Sequence, residues 1–178
     1  FTRALDNGAT VITVDPRFSV AASKSQYWLP IKPGTDLALL LAWTNVLVNE
    51  GLYDRDYVAR YCSGFDRLAV HVQPYNPEWA YLETGIEPAV IRETARAMAA
   101  SAPATLVHPG RHTTWYGDDT QRCRAIAILN ALLGSWGRPG GFYAQEKVAL
   151  PPFPAPKPPK PARDWKAIVQ GDYPLVGS

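Results

Sequence analysis

The amino-acid sequence predicts an α/β fold that is rich in helix and built on part of a parallel sheet with helices on both faces. Two apolar runs, residues 10–14 and 104–108, lack the alternation of half-exposed strands and are typical of strands buried on both faces. Between them, residues 36–50 form a long helical pattern that is apolar on most sides. These segments predict a sheet interior and a helix packed into the same core.

Helix ends are predicted from capping residues, prolines and glycines. The first residues have the pattern of an amphipathic helix that ends in a turn at residues 6–8. Thr35 or Asp36 is the expected N-cap of the long helix, and Gly51 its stop. Shorter helices are predicted at residues 54–61, 65–72, 77–83 and 88–100, and a last one follows a capping box at residues 118–121 and closes at Gly134.

The predicted domain division falls after residue 143. Residues 1–143 are expected to form a partial α/β domain, and residues 144–178 an extended segment, because residues 151–161 hold seven prolines and two lysines. Two buried strands need further partners in a sheet. The missing strands are therefore expected from outside this sequence, which is interpreted as an interior piece of a larger enzyme that lacks its flanking domains.

Charge and cysteine content exclude several classes of function. The net charge of +2 is spread along the chain, which predicts no nucleic-acid binding, and no apolar run is long enough for membrane insertion. Cys62 and Cys123 lack metal-site spacing, so each is expected to be a free, partly buried thiol, and no metal ligand is predicted. Small-molecule chemistry is the favoured class.

Asp15, Pro16 and Arg17 follow the first predicted strand at its carboxyl end. Ligands of open α/β sheets bind at that edge, where an acidic residue accepts hydrogen bonds from a nucleotide ribose. No GxGxxG motif is present, so this is not the first turn of a dinucleotide fold. The alternative is structural: Asp15 caps a turn and Pro16 ends the strand.

Pro33, Gly34, Thr35 and Asp36 form a turn that leads into the long helix. A helix N-terminus favours anions, and a carboxylate accepts paired hydrogen bonds from a guanine edge. Plain N-capping is the alternative, and the two roles are compatible.

The loop that follows the second predicted strand concentrates polar and aromatic side chains. Arg111 and His112 lie in it, beside two threonines, a tryptophan and a tyrosine. Its position at the ligand edge of the sheet makes it a candidate site, while a solvated loop is the alternative.

Taken together, these segments resemble the large catalytic subunits of the dimethyl sulfoxide reductase family, which carry molybdenum on two pterin guanine dinucleotides. The resemblance is in order and spacing, and the details are most similar to the polysulfide, thiosulfate and tetrathionate reductase branch. The matching blocks are residues 14–19, 28–38, 110–121, 130–134 and 137–141.

The resemblance implies roles for the candidate residues. Asp15, Pro16 and Arg17 match residues that line the nucleotide half of one pterin cofactor. Asp36 matches the carboxylate that reads its guanine, at a turn shaped by Pro33, Gly34 and Thr35. Arg111 and His112 match a loop near the molybdenum, where a cation would hold an anionic sulfur substrate or tune a proton transfer, and they are the candidate catalytic residues.

The resemblance also implies parts that this sequence lacks. The family's [4Fe–4S] cluster and its usual metal ligand belong to an N-terminal domain, so this chain alone is expected to be inactive. The parent would be a molybdenum-dependent oxidoreductase of a small, inorganic sulfur-type substrate, with an iron–sulfur electron-transfer subunit and a membrane anchor as partners that place it at the membrane. Two alternatives remain open: a non-catalytic respiratory-complex subunit that has lost molybdenum, and an independent mononucleotide-binding module.

Overall fold

The computed structural model describes residues 2–108 and 119–143. Within them, the chain forms a small parallel sheet of two strands and seven α-helices, so the helix-rich α/β class is confirmed. The elements are α1 (Thr2–Asp6), β1 (Ile12–Val14), a 3-10 helix (Ala22–Lys24), β2 (Tyr27–Leu29), α2 (Asp36–Asn49), α3 (Arg55–Tyr61), α4 (Phe65–His71), α5 (Pro77–Thr84), α6 (Pro88–Ala100) and α7 (Asp119–Leu132).

Helix α2 is the centre of the core. It packs against α5, α6 and α7, and its residues from Ala38 to Leu47 are almost all buried. The indole of Trp43 donates a buried hydrogen bond of 2.9 Å to the hydroxyl of Thr94 on α6. The prediction of a helix buried on most sides is therefore confirmed, and its last turn stops at Gly51, whose φ is +66°.

The observed helices begin and end within two residues of the predicted boundaries. Asp54 caps α3 by accepting a hydrogen bond from the backbone N–H of Tyr57, and Asn76 caps α5 in the same way. Pro88 is the first residue of α6. Local capping chemistry is sufficient to fix these boundaries. Residue 118 lies outside the described residues, so the capping box of α7 stays a prediction.

The strand predictions were half right. β1 forms where expected, and Ile12 and Val14 pair in parallel with Tyr27 and Leu29 of β2, a strand that was not predicted. β2 is only three residues long and is followed by Pro30, so it carries little strand signal.

The prediction of a strand at residues 104–108 was wrong for the described chain. No strand neighbours this segment within residues 2–108 and 119–143. The backbone of Val107 instead bonds a side chain: its N–H donates to Oδ1 of Asn130 at 3.0 Å, and its carbonyl accepts from Nδ2 at 2.9 Å. The buried amide of Asn130 thus takes the place of a strand neighbour. Residues 144–178 lie outside the described residues, so the division at residue 143 stays a prediction.

Candidate functional site

Asp15 is the last residue bonded to the sheet at the carboxyl end of β1. Its backbone N–H donates to the carbonyl of Leu29, and its carboxylate accepts a 2.9 Å hydrogen bond from the N–H of Arg17. The indole of Trp28 donates to its carbonyl oxygen at 2.8 Å. Asp15 is half-buried, whereas Pro16 and Arg17 are exposed. The structural role of Asp15 as a turn cap is therefore present.

The turn before α2 exposes Pro33 and Gly34. Gly34 has a φ of +83°, a conformation that favours glycine and turns the chain into the helix. Thr35 occupies the N-cap position, but its hydroxyl donates back to the carbonyl of Lys32 at 2.7 Å and makes no capping bond. Plain N-capping by Thr35 therefore does not explain the turn.

Asp36 begins α2 with a side chain that is 37% exposed. Its carboxylate forms an ion pair of 3.5 Å with Arg122 of α7. Arg122 also binds Asp119 at 2.7 Å, and both of those side chains are largely buried. The first turns of α2 and α7 are therefore joined by one guanidinium, which restrains Asp36 while leaving part of its carboxylate accessible.

A groove with a volume of about 1010 Å³ runs from the turn after α1 to this ion-pair cluster. Val14 lines it at the end of β1, and Asp36 and Arg122 line it at the first turns of α2 and α7. Asp15 follows Val14 directly. Of the predicted nucleotide-binding residues, Asp36 is thus among those that line the groove, and Asp15 follows a lining residue.

Arg122 and Asp119 were not predicted as site residues. Their spacing of three residues on a helix signals an ion pair. Nothing local in the sequence links Arg122 to Asp36, which is 86 positions earlier. Arg111 and His112, the predicted catalytic residues, lie outside the described residues.

The described residues contain no cluster of three or more His, Cys, Asp or Glu side chains able to hold a metal ion. Cys62 and Cys123 are free and half-buried, and burial raises the pKa of the Cys62 thiol. None of the helices in residues 2–108 and 119–143 combines the length and apolarity needed to cross a bilayer.

Comparison with known proteins identifies the family. The sequence profile described as molybdopterin oxidoreductase matches residues 1–154. The chain is 40% identical over 147 residues to the thiosulfate reductase molybdopterin-containing subunit PhsA of Salmonella typhimurium, covering 83% of this chain and 19% of that protein. It is 31% identical to the arsenate respiratory reductase molybdopterin-containing subunit ArrA of a Shewanella species, covering 80% of this chain and 19% of that protein.

The fold has a counterpart among solved structures. Acetylene hydratase from Pelobacter acetylenicus superposes with a TM-score of 0.76 at 33% sequence identity, over 79% of this chain and 19% of that one. The chain therefore spans about a fifth of the length of the relatives that it matches.

Proposed function

Because the chain belongs to the molybdopterin oxidoreductase family, we propose that it forms the part of a molybdenum enzyme that binds the guanine nucleotide end of a pterin cofactor. The family implies a molybdenum–pterin cofactor; the guanine dinucleotide form is our proposal. The observation that carries it is the position of Asp36, an accessible carboxylate at the start of α2 that Arg122 holds in the groove.

The similar proteins support a cofactor role for this region over a substrate role. Their names state different substrates, including thiosulfate, arsenate and acetylene, and they include a hydratase beside the reductases. A region shared by proteins with such different chemistry serves what they have in common. PhsA and ArrA are both named as molybdopterin-containing subunits.

The residues at the end of the groove fit a guanine nucleotide. Guanine presents two neighbouring N–H donors, and an ionised carboxylate such as that of Asp36 accepts both. Arg122 contacts Asp36 from α7, so the ion pair orients the carboxylate and does not cap α2. The turn of Asp15, Pro16 and Arg17 adds a carboxylate for ribose hydroxyls and an exposed guanidinium for phosphate.

The other parts of the full-length enzyme are proposed from the family. When bound, the molybdenum would supply two-electron chemistry, while the protein binds and orients the cofactor and substrate. Arg111 and His112 are proposed to face the substrate near the metal. The identity to PhsA supports an inorganic sulfur compound as substrate. A second pterin guanine dinucleotide, a [4Fe–4S] cluster in another domain, an iron–sulfur subunit and a membrane anchor complete the proposal.

The test is the substitution Asp36→Asn in the enzyme produced from the complete open reading frame. The amide keeps the size of the side chain but replaces one acceptor by a donor, which opposes the guanine N–H groups. We expect the GMP released by acid hydrolysis and the molybdenum content per polypeptide to fall together at least about tenfold. Asp56→Asn is the matched control, because Asp56 is an exposed carboxylate in the first turn of α3. Unchanged GMP and molybdenum in Asp36→Asn would refute the assigned role.

A further inference from the structure

Arg122 is shared unequally between two carboxylates. Its Nη2 lies 2.7 Å from Oδ1 of Asp119, whereas its Nη1 lies 3.5 Å from Oδ2 of Asp36. The first distance is that of a charge-assisted hydrogen bond, and the second exceeds the limit of about 3.2 Å for an N–H···O bond. Because the side chains of Arg122 and Asp119 are only 18% and 11% exposed, water screens their bond little. Of these two carboxylates, Arg122 therefore binds Asp119 tightly and Asp36 loosely.

Another arginine of the chain shows what a tight pair looks like. Arg96 donates to Glu50 through two nitrogen atoms, at 2.7 and 2.8 Å, so one guanidinium bonds both carboxylate oxygens. Arg122 does not bind Asp36 in this way, because its Nη2 is bonded to Asp119 and its Nη1 remains 3.5 Å from Asp36. Asp36 therefore keeps a carboxylate edge that this guanidinium does not cover.

That edge is what a guanine base needs. Guanine and a guanidinium group each present two neighbouring N–H donors, and each can bond both oxygens of one carboxylate at once. The two partners would therefore compete for the same edge of Asp36. A movement of less than about 1 Å would bring Arg122 within hydrogen-bond distance of Asp36. The bond to Asp119 opposes this movement.

We propose that Asp119 is a positioning residue for the proposed guanine site: by binding Arg122, it keeps that guanidinium from pairing with both oxygens of Asp36 and leaves the carboxylate available to the base. The loose ion pair still orients Asp36. Asp119 is buried, so it acts through Arg122 and not by contact with the nucleotide. This inference rests on the proposed role of Asp36.

A purely structural role for Asp119 is the alternative, because it lies in the first turn of α7, where a carboxylate favours the helix dipole. The two roles predict different results when Arg122 is replaced by lysine. Lysine keeps the positive charge, but its single ammonium group cannot form the two parallel bonds of a guanidinium. The substitution therefore removes the competition for Asp36 and leaves the net charge unchanged.

The test uses the enzyme produced from the complete open reading frame and measures the GMP released by acid hydrolysis per polypeptide. We expect Asp119→Asn to lower GMP at least about tenfold, because Arg122 then pairs with Asp36, the remaining carboxylate. Adding Arg122→Lys to Asp119→Asn should restore GMP to within about threefold of the native enzyme. Asp56→Asn, which removes an exposed first-turn carboxylate of α3, is the control and should retain native GMP.

Recovery in the double variant is the decisive result, since a helix weakened by loss of Asp119 would not be repaired by changing Arg122. No recovery, or unchanged GMP in Asp119→Asn, would overturn the proposal. Arg122→Lys alone keeps Asp119 and gives a second measurement that does not depend on the folding of Asp119→Asn. We expect its GMP within about threefold of native. A loss of about tenfold or more there would mean that binding requires the guanidinium, and would also overturn the proposal.

The Asp36→Asn variant separates failure of this inference from failure of the proposed function. Unchanged GMP in Asp36→Asn would refute the guanine role and the role of Asp119 together. A loss of GMP in Asp36→Asn without recovery in the double variant would refute the role of Asp119 alone.

Discussion

Arg138 and Asp54 are 84 residues apart in sequence, yet Nη1 of Arg138 lies 2.7 Å from Oδ2 of Asp54. The other carboxylate oxygen of Asp54 accepts the N–H of Tyr57 and so caps α3. The guanidinium also stacks over the Tyr57 ring, 5.0 Å from its centroid. One carboxylate thus begins a helix and anchors the turn that follows α7.

Replacing Asp54 by Ala should destabilise the chain by about 1–2 kcal/mol, because the helix loses its N-cap and Arg138 loses its partner. Asp54→Asn should cost less, about 0.5 kcal/mol, since asparagine still caps and the ion pair is partly exposed. Urea unfolding of the 178-residue chain measures both free energies. Asp56→Ala, in the same first turn but exposed, is the control. Equal losses in all three variants would contradict the assigned cap.

The same carboxylate predicts a pH dependence of stability. The N–H of Tyr57 lowers the pKa of Asp54, burial opposes this, and Arg138 lowers it further. A depressed folded-state pKa stabilises the fold above the unfolded value of about 3.9 and loses that effect as pH falls through the folded pKa. The unfolding free-energy difference between the native chain and Asp54→Asn should therefore be constant from about pH 7 to 5 and shrink below about pH 4. A difference that persists unchanged to pH 2 would argue against this titration.

Asn130 should be among the most sensitive polar residues of the core. Its side chain bonds both backbone groups of Val107 and the carbonyl of Ile126 while it is fully buried. Asn130→Ala leaves the Val107 groups unsatisfied, so we expect a loss of about 2–3 kcal/mol in urea unfolding. Asn130→Asp has the same shape but cannot donate, and it should be no more stable than the alanine variant.

The control for that prediction is Asn49→Ala. Asn49 also uses its side-chain amide, but its bond to Gln73 is exposed, so we expect a change within about 0.5 kcal/mol. In addition, the Val107 amide should exchange faster in Asn130→Ala than in the native chain. Comparable losses at positions 49 and 130 would show that the Val107 contact does not stabilise the fold.

The helices were predictable because their signals are local. A cap such as Asp54 or Asn76, a first-turn Pro88 and a terminal Gly51 each lie within one turn of the boundary that they determine. A strand depends instead on a partner that is distant in sequence. For this reason β2, with three residues, was missed, and residues 104–108 have strand composition without a strand neighbour among the described residues.

In the candidate site, too, local features were predictable and contacts between distant residues were not. The turns at Asp15 and at Pro33 to Asp36 were recognised because their residue types follow one another in sequence. Arg122, which ties Asp36 to α7, was not predicted, because the packing of α2 on α7 creates that contact. Sequence patterns therefore predicted the segments of the candidate site, and the fold added Arg122, which links Asp36 to α7.

Two buried threonines provide a matched test of the contact between α2 and α6. The hydroxyl of Thr94 donates to the carbonyl of Val90 in its own helix and accepts the indole N–H of Trp43 at 2.9 Å. The hydroxyl of Thr44 donates to the carbonyl of Leu40 in the same way but accepts no tryptophan bond. Valine has nearly the same shape, so Thr94→Val removes mainly the acceptor for Trp43, whereas Thr44→Val removes only a bond to a carbonyl already used by the helix.

We therefore expect Thr94→Val to lose about 1–2 kcal/mol in urea unfolding, since it leaves the buried Trp43 N–H without an acceptor, and Thr44→Val to change stability by less than about 0.5 kcal/mol. The indole N–H resonance of Trp43 should shift upfield only in Thr94→Val, because a lost hydrogen bond reduces its deshielding. Equal free-energy losses with no change in that resonance would mean that the two hydroxyls act alike through their own helices. The Trp43–Thr94 contact would then play no part in holding α2 against α6.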